Sequence, residues 1–223
     1  MLDAGLIDVC WICGLPYAWK ADTAASAIEL CAVPVMQGER YAQRPVYFSD
    51  VVVHRDSRHI SFADLRGATW AYNEPRSHSG HNVVLHQLAR LGHADGYFGR
   101  AVESGAHQAS LRMIVNGEID ASAIDSTVLE AELRRHPELA SDIRVVETLG
   151  PSPMPPWVMQ KSLPYELRCA LRETLLDMHT DAEGAAILDT WRIARFTAAA
   201  DVDYDPLRKM ARLAEGVKLA AVR

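Results

Sequence analysis

Short runs of apolar and β-branched residues alternate along this chain with longer stretches in which apolar positions recur every three or four residues. That alternation predicts an α/β fold of strands joined through helices. Ile7 to Cys13 is almost wholly apolar, as expected of a parallel strand covered on both faces. The turn Gly14-Leu15-Pro16-Tyr17 and an Ala-rich segment lead to a second apolar stretch, Ile28 to Met36, and Tyr47 to Val53 reads as an aromatic, β-branched strand. Ser61 is placed to cap a short helix with Asp64 in its first turn and Gly67 just past its end; a strand from Ala68 to Tyr72 follows at once. After the polar loop from Asn73 to Gly80, the apolar positions Val83, Val84, Leu85, Leu88 and Leu91 predict a helix closed by Gly92.

Downstream, the pattern predicts a helix near Gln108 to Asn116, a strand through Ile119 to Ile124, a charged helix from Thr127 to Arg135 and a strand from Ile143 to Thr148. Gly150-Pro151-Ser152-Pro153-Met154-Pro155-Pro156 is the densest cluster of breakers and predicts a stiff extended crossing. Helices at Leu163 to Met178 and Ala182 to Arg192, a loop from Phe196 to Pro206 and a last helix complete the chain. The order implies two α/β lobes, each a mainly parallel sheet flanked by helices. Residues 1–52 with 149–223 form the first lobe, and residues 53–148 form an inserted second lobe.

Composition narrows the function classes. The chain has 223 residues, 49% apolar, with mixed charges and a formal net charge of -6, so two lobes of ordinary size are affordable and nucleic acid is not an expected partner. An anion remains an expected ligand, because backbone N–H groups and hydroxyls bind locally whatever the net charge. No apolar run approaches the roughly 20 residues that span a bilayer, and no secretion signal is visible after Met1. Cys10, Cys13, Cys31 and Cys169 are too scattered for a disulfide framework. Cys10 and Cys13 form a C-x-x-C, open to redox or zinc chemistry, but no second pair completes a metal site, so neither metal nor cofactor is expected.

The strongest chemical signal is Ser77-His78-Ser79-Gly80 at a helix start, where two hydroxyls, unpaired backbone N–H groups and the positive end of the helix dipole converge on one point. Gly80, without a Cβ, allows close backbone approach; plain N-capping by Ser77 or Ser79 is the simpler reading of the same residues. His107 starts another helix and offers a ring nitrogen to the same anion. Asp125 stands at the carboxyl end of a strand, where open α/β sheets place ligands, or else caps the helix that follows. Tyr47, at the expected lobe crossing, offers a phenol hydroxyl. No catalytic residue is expected: Ser79 lacks a G-x-S-x-G elbow, and His78, His81 and His86 do not share a helix face as metal ligands would.

These residues resemble the phosphate/phosphite/phosphonate substrate-binding proteins of ABC transporters, which have a type 2 periplasmic binding fold. The resemblance runs from about Gly5 to Asp205. It rests on Ile7 to Trp11 with Cys13 to Pro16, Tyr47 to Val53, Phe62 to Gly67, Ser77 to Gly80, Gly105 to His107, Asp120 to Asp125 and Gly150 to Pro153. It implies a solute-binding component that captures a phosphonate, phosphite or phosphate between its lobes by hinge closure. Its partners would be the small oxyanion and the membrane subunit of the transporter; it would act in the periplasm, as a monomer and not as an enzyme. Ser77, His78, Ser79 and Gly80 resemble the family's S-[ST]-S-G anion loop, with His78 where a threonine is usual. His107 resembles its histidine donor and Tyr47 the aromatic of its Y-[FW]-S segment. Two acidic residues that hold aminoalkyl groups in some members fall on Thr127 and Pro155, so an aminophosphonate is not expected. Members begin with a strand and most of a helix before the position of Gly5, preceded by a secretion signal, so Met1 reads as a late start. The rival reading is a cytosolic enzyme or ligand-sensing domain on the same fold.

Overall fold

The computed structural model describes residues 2 and 4–220; Met1, and with it the reading of a late start, lies outside the described residues. In chain order the elements are β1 (Val9–Trp11), α1 (Gly14–Ala21), β2 (Ile28–Met36), β3 (Val46–His54), β4 (Thr69–Tyr72), α2 (Val83–Arg90), β5 (Arg100–Glu103), α3 (His107–Val115) and β6 (Ala121–Asp125). There follow α4 (Ser126–Arg135), α5 (Leu139–Asp142), β7 (Ile143–Pro153), β8 (Trp157–Gln160), α6 (Tyr165–Asp177), α7 (Ala182–Thr190), β9 (Ile193–Thr197) and α8 (Asp205–Leu213).

The chain divides into two compact units, one holding the residues up to Val46 together with Ser152–Arg208, the other Tyr47–Pro151 with the chain from Lys209 on. These limits differ from the expected lobes in three respects, the smallest being that residues 149–151 belong to the second unit. Tyr47 to Val52 fall in the second unit because β3 is laddered to β6 there, Ser49 opposite Asp125 and Val53 opposite Ala121. The tail also belongs to the second unit, not the first. Phe98 N–H donates to Leu219 O and Lys218 N–H to Ala94 O, each at 3.0 Å, and Leu219 is buried in that unit's core.

In the first unit the strand order is β1-β8-β2-β9, and the pairings run antiparallel: Val9 opposite Met159, Leu30 opposite Val158, Pro34 opposite Phe196. The expectation of a mainly parallel sheet is corrected here, as is that of a strand at Ile7 to Cys13 buried on both faces. β8 and β9 belong to the returning chain and run against β1 and β2. An unbroken apolar run reports burial, not direction. β1 is only three residues long, and Trp11 is half exposed while its indole N–H donates to Pro155 O at 2.7 Å. Ala32, Leu188 and Phe196 form a core lined by Trp157, Leu175 and Leu176. Arg208, mostly buried, ties Asp22, Asp201 and Asp205 together at 2.8 to 3.0 Å.

In the second unit the order is β5-β4-β6-β3-β7, with β4 parallel to both β5 and β6, and β3 antiparallel to β6. Helices cover both faces. Val51, Val53 and Trp70 pack with Phe62, Val84, Leu88 and Phe98 on one side; Val52, Ala71 and Ile124 pack with Leu111, Ile114 and Leu129 on the other. Neighbouring strand residues thus serve opposite faces, as the pleat requires. The turn after β3 is organised by Asp64, not by the expected cap Ser61: the Asp64 carboxylate accepts from Ile60 N–H, Ser61 N–H and Ser61 Oγ–H. Gly67 and Gly92 both adopt positive φ, the left-handed conformation that ends their preceding segments.

Candidate functional site

Because β5, β4 and β6 run parallel, their carboxyl ends share one edge of the second unit's sheet, and each is followed there by a helix start. β4 leads through Asn73 toward α2, β5 through Ser104 to Ala106 into α3, and β6 directly into α4. Antiparallel β3 brings its amino end to the same edge, so Tyr47, Ser77 to Gly80, His107 and Asp125 all belong to one margin of one sheet. This is where open α/β sheets place ligands.

The loop expected from Asn73 to Gly80 is only partly a loop. His78–Asn82 forms a π-helical turn continuous with α2, closed by Asn82 N–H donating to Ser77 O at 3.0 Å. Ser77, in extended backbone, accepts from Gly80 N–H through its Oγ at 3.1 Å, so it does cap the turn. Ser79 Oγ instead faces His107, 3.1 Å from Nε2, across a contact that is wholly buried. A Cβ on Gly80 would fall 2.0 Å from Asn73 Oδ1 and 3.2 Å from His107 Cε1, which is why this position admits only glycine without rearrangement.

Both histidines of the site are held neutral. Burial drives His78 down to about 3, with a smaller push from His86; Asn82 Nδ2 donates to its Nδ1 at 3.1 Å, which fixes the Nε2–H tautomer. Burial brings His107 down to about 4, against an opposing pull from the Ala123 backbone that falls short of a regular hydrogen bond to Nδ1. The Tyr47 ring, buried, meets the edge of His78 at 6.4 Å between centroids. Asp125 caps α4: its Oδ1 accepts from Thr127 N–H at 2.8 Å and Thr127 Oγ–H at 2.7 Å. Burial, with a lesser contribution from Asp50, pushes its carboxyl up to about 6, while the Thr127 bonds pull the other way.

Of five buried side-chain polar atoms without a partner among the described residues, three lie at this edge: Ser49 Oγ, Asn73 Oδ1 and His107 Nδ1. Such atoms are rare in folded proteins, and three of these five gather at one margin of one sheet. Ser49 and Asn73 were not singled out from sequence. The usable signal was positional, since Asn73 directly follows β4 and Ser49 lies opposite Asp125. The two positions where an acidic residue would hold an aminoalkyl group have other work: Thr127 bonds Asp125, and Pro155 O accepts from Trp11. Cys10 lies in β1 and Cys13 precedes α1, and neither is in a disulfide. Among the described residues no group of three or more His, Cys, Asp or Glu side chains is arranged to hold a metal ion. A separate groove of about 330 Å³, lined by Arg112, Glu132, His136 and Asp142 among others, lies between α3, α4 and α5 and shares none of these residues.

Comparison with known proteins gives this geometry its context. The family described as ABC transporter, phosphonate, periplasmic substrate-binding protein matches residues 1–204. The Phosphonates-binding periplasmic protein of Escherichia coli (strain K12) is 25% identical over 228 residues; the match takes in 96% of this chain and spans 66% of the length of that relative. A binding-protein component of an ABC phosphonate transporter from Pseudomonas aeruginosa superposes with a TM-score of 0.82 at 22% identity, over 94% of this chain and 69% of that one. PhnD1 of Prochlorococcus marinus (MIT 9301), solved in complex with methylphosphonate, gives 0.78 at 20% identity, over 96% and 80%. Both likenesses show the fold, that of type 2 periplasmic binding proteins.

Proposed function

The chain belongs to the family of phosphonate ABC transporter periplasmic substrate-binding proteins, and from that premise we propose that its second unit captures a small phosphorus oxyanion at the edge formed by Tyr47, Ser77 to Gly80, His107 and Asp125. One observation carries the reading. Ser79 Oγ and His107 Nε2 meet 3.1 Å apart in a buried contact beside the capped start of a helix, and the second ring nitrogen has no regular partner. Neutral donors at a helix start are what an anion needs when no cation is present: the hydroxyls and N–H groups bond its oxygens, and the dipole favours its charge.

The same features favour binding over catalysis. Ser79 and His107 form a pair without an orienting acid on the ring, and burial keeps both histidines neutral, so they serve as hydrogen-bonding groups. A phosphonate, phosphite or phosphate without an amino group is the favoured class, because Thr127 and Pro155 supply no carboxylate. In this reading the protein works in the periplasm, as a monomer that delivers its ligand to the membrane subunit of an ABC importer; among the described residues no helix is long and apolar enough to cross a membrane.

A thermal-shift and calorimetric panel of phosphate, phosphite, methylphosphonate, aminoethylphosphonate, sulfate and simple carboxylates tests it. A ligand at a hundred times its Kd stabilises by about 2.7 kcal/mol, a rise of roughly 5 to 10 °C for a chain of this size. A selective shift by one phosphorus oxyanion is expected; a cooperative melt that none of them moves refutes the proposal.

A further inference from the structure

Asn73 directly follows β4 and reaches the start of the π-helical turn. Its Oδ1 is buried and has no donor among the described residues. Its place is closely defined, since a Cβ on Gly80 would fall 2.0 Å from this oxygen and 3.2 Å from His107 Cε1. The oxygen therefore rests on the Gly80 backbone beside the carbon edge of the His107 ring, among weakly positive C–H groups. On the same ring Ser79 Oγ engages Nε2. A hydrogen-bond acceptor thus stands among the donors.

A site for a fully deprotonated anion has no use for that acceptor, because a bare anionic oxygen facing a carbonyl oxygen is repelled and leaves it unsatisfied. An oxygen that carries a proton resolves both difficulties: it donates to Asn73 Oδ1 while the remaining oxygens accept from Ser79 and the helix start. The Asp125 carboxylate, at the same sheet edge, is a second acceptor with the same preference.

We propose that Asn73 is a specificity-determining residue of this site, accepting a hydrogen bond from a protonated ligand oxygen, so that the site takes the singly protonated form of a phosphonate and rejects anions of equal shape and charge that carry no proton. The proposal rests on the oxyanion reading above.

Methylphosphonate and methanesulfonate separate the two ideas. Below the second ionisation of the phosphonate both are tetrahedral monoanions bearing a methyl group and three oxygens, and only the phosphonate has an O–H. Titration of the full chain at that pH is expected to favour methylphosphonate by about 5- to 150-fold, the cost of leaving a buried acceptor unpaired. In Asn73→Ala the preference narrows to within a few-fold, chiefly through weaker methylphosphonate binding. Equal affinities in the parent protein, or a preference that Asn73→Ala leaves intact, overturn the role of Asn73 while the oxyanion site stands. Binding of neither anion overturns both. A variant-free check is the pH dependence of the preference in the parent protein. Of the titratable groups near the site, His78, His81, His86, His107, Tyr47, Tyr72, Asp50 and Glu103 meet either ligand alike, and Asp125, which shares the preference for a protonated oxygen and is pushed up to about 6, is ionised above that pH, where the comparison is made. The ratio between the ligands therefore follows the phosphonate's own proton, falling as pH rises through its second ionisation; a ratio that rises instead refutes the proposal.

Discussion

Replacing Ser79 by alanine tests the centre of the site before any ligand is added. His107 is 8% exposed, its Nδ1 already lacks a regular partner, and Ser79 Oγ is the group that engages Nε2. Without that hydroxyl, neither ring nitrogen is satisfied, and the ring cannot escape by taking a proton, because burial holds it at about 4. The cost is that of an unsatisfied buried polar group, about 1 to 3 kcal/mol. His107→Phe strands Ser79 Oγ, itself 4% exposed, and has a similar cost. The double variant removes both partners together and leaves nothing polar unpaired between them.

Its destabilisation should therefore fall short of the sum of the single changes by about 1 to 2 kcal/mol, a coupling well outside the roughly 0.5 kcal/mol within which independent sites add. Urea denaturation read by hydrogen exchange at the amides of α3 and β6 reports on the second unit without requiring the whole chain to unfold in one step. Additive losses would falsify the claim that the two groups are partners. In calorimetry with methylphosphonate, Ser79→Ala alone is expected to lose on the order of 1.5 to 3 kcal/mol of binding, since the hydroxyl is a donor to a charged ligand.

Three further outcomes follow from the same geometry. Gly80→Ala places a Cβ against Asn73 Oδ1, which can swing away, and against His107, which cannot do so freely. It should cost about 1 to 3 kcal/mol of stability and abolish measurable methylphosphonate binding, and parent-like affinity by calorimetry would refute the close approach. Stability should respond to pH through opposed groups. His78 and His107 have folded pKa values below their ordinary 6.5, so the unfolded chain takes up protons first and stability falls as pH drops from about 6.5 toward 4. Asp125, raised to about 6, takes up its proton first in the folded state, so its contribution grows as pH falls from 6 toward 4. Denaturation profiles of His107→Phe should lose part of the first effect and those of Asp125→Asn the second, and unchanged slopes would exclude the assignments. In the first unit, Arg208→Met leaves Asp22, Asp201 and Asp205 without their shared cation. Because those carboxylates are more than half exposed, water takes over much of their solvation and the loss should be only about 1 to 2 kcal/mol by urea denaturation; a loss of 4 kcal/mol or more would show that the cluster is more deeply buried in effect than its exposure implies.

Much of the fold was legible because its strands and helices carry their periodicity locally. Ile28 to Met36, the stretch from Tyr47 to Val53, and the helix through Val83, Val84 and Leu88 lie where the apolar pattern places them. What the pattern does not carry is direction and partner. β1 and β2 are apolar enough for a parallel sheet, yet β8 and β9 come back from more than a hundred residues away and run against them. β8 is four residues beside a proline cluster, too short to show an alternation of its own, and it lies between the expected crossing, which ends at Pro156, and the helix expected from Leu163. The tail was assigned by chain order, whereas Leu219 is drawn into the second core by its contact with the Phe98 segment.

At the candidate site the sequence displays residues but not their angular relation. Ser77 and Ser79 look alike in Ser77-His78-Ser79-Gly80, and only the π-helical turn separates them. The wide closure from Asn82 N–H to Ser77 O turns Ser77 Oγ back onto Gly80 N–H and sends Ser79 Oγ to His107, 28 residues away. Capping, one of the two readings of either serine, thereby falls to Ser77, and Ser79 is left facing His107. The turn also explains why glycine follows: Asn73 and His107 converge where a side chain on residue 80 would stand. Asn73 escaped notice because an asparagine after a strand is ordinarily a turn residue, and nothing in its sequence neighbours reveals that its oxygen is buried. The residue that would set specificity under the proposal above is thus one whose surroundings, Gly80 and His107, lie 7 and 34 positions further along the chain.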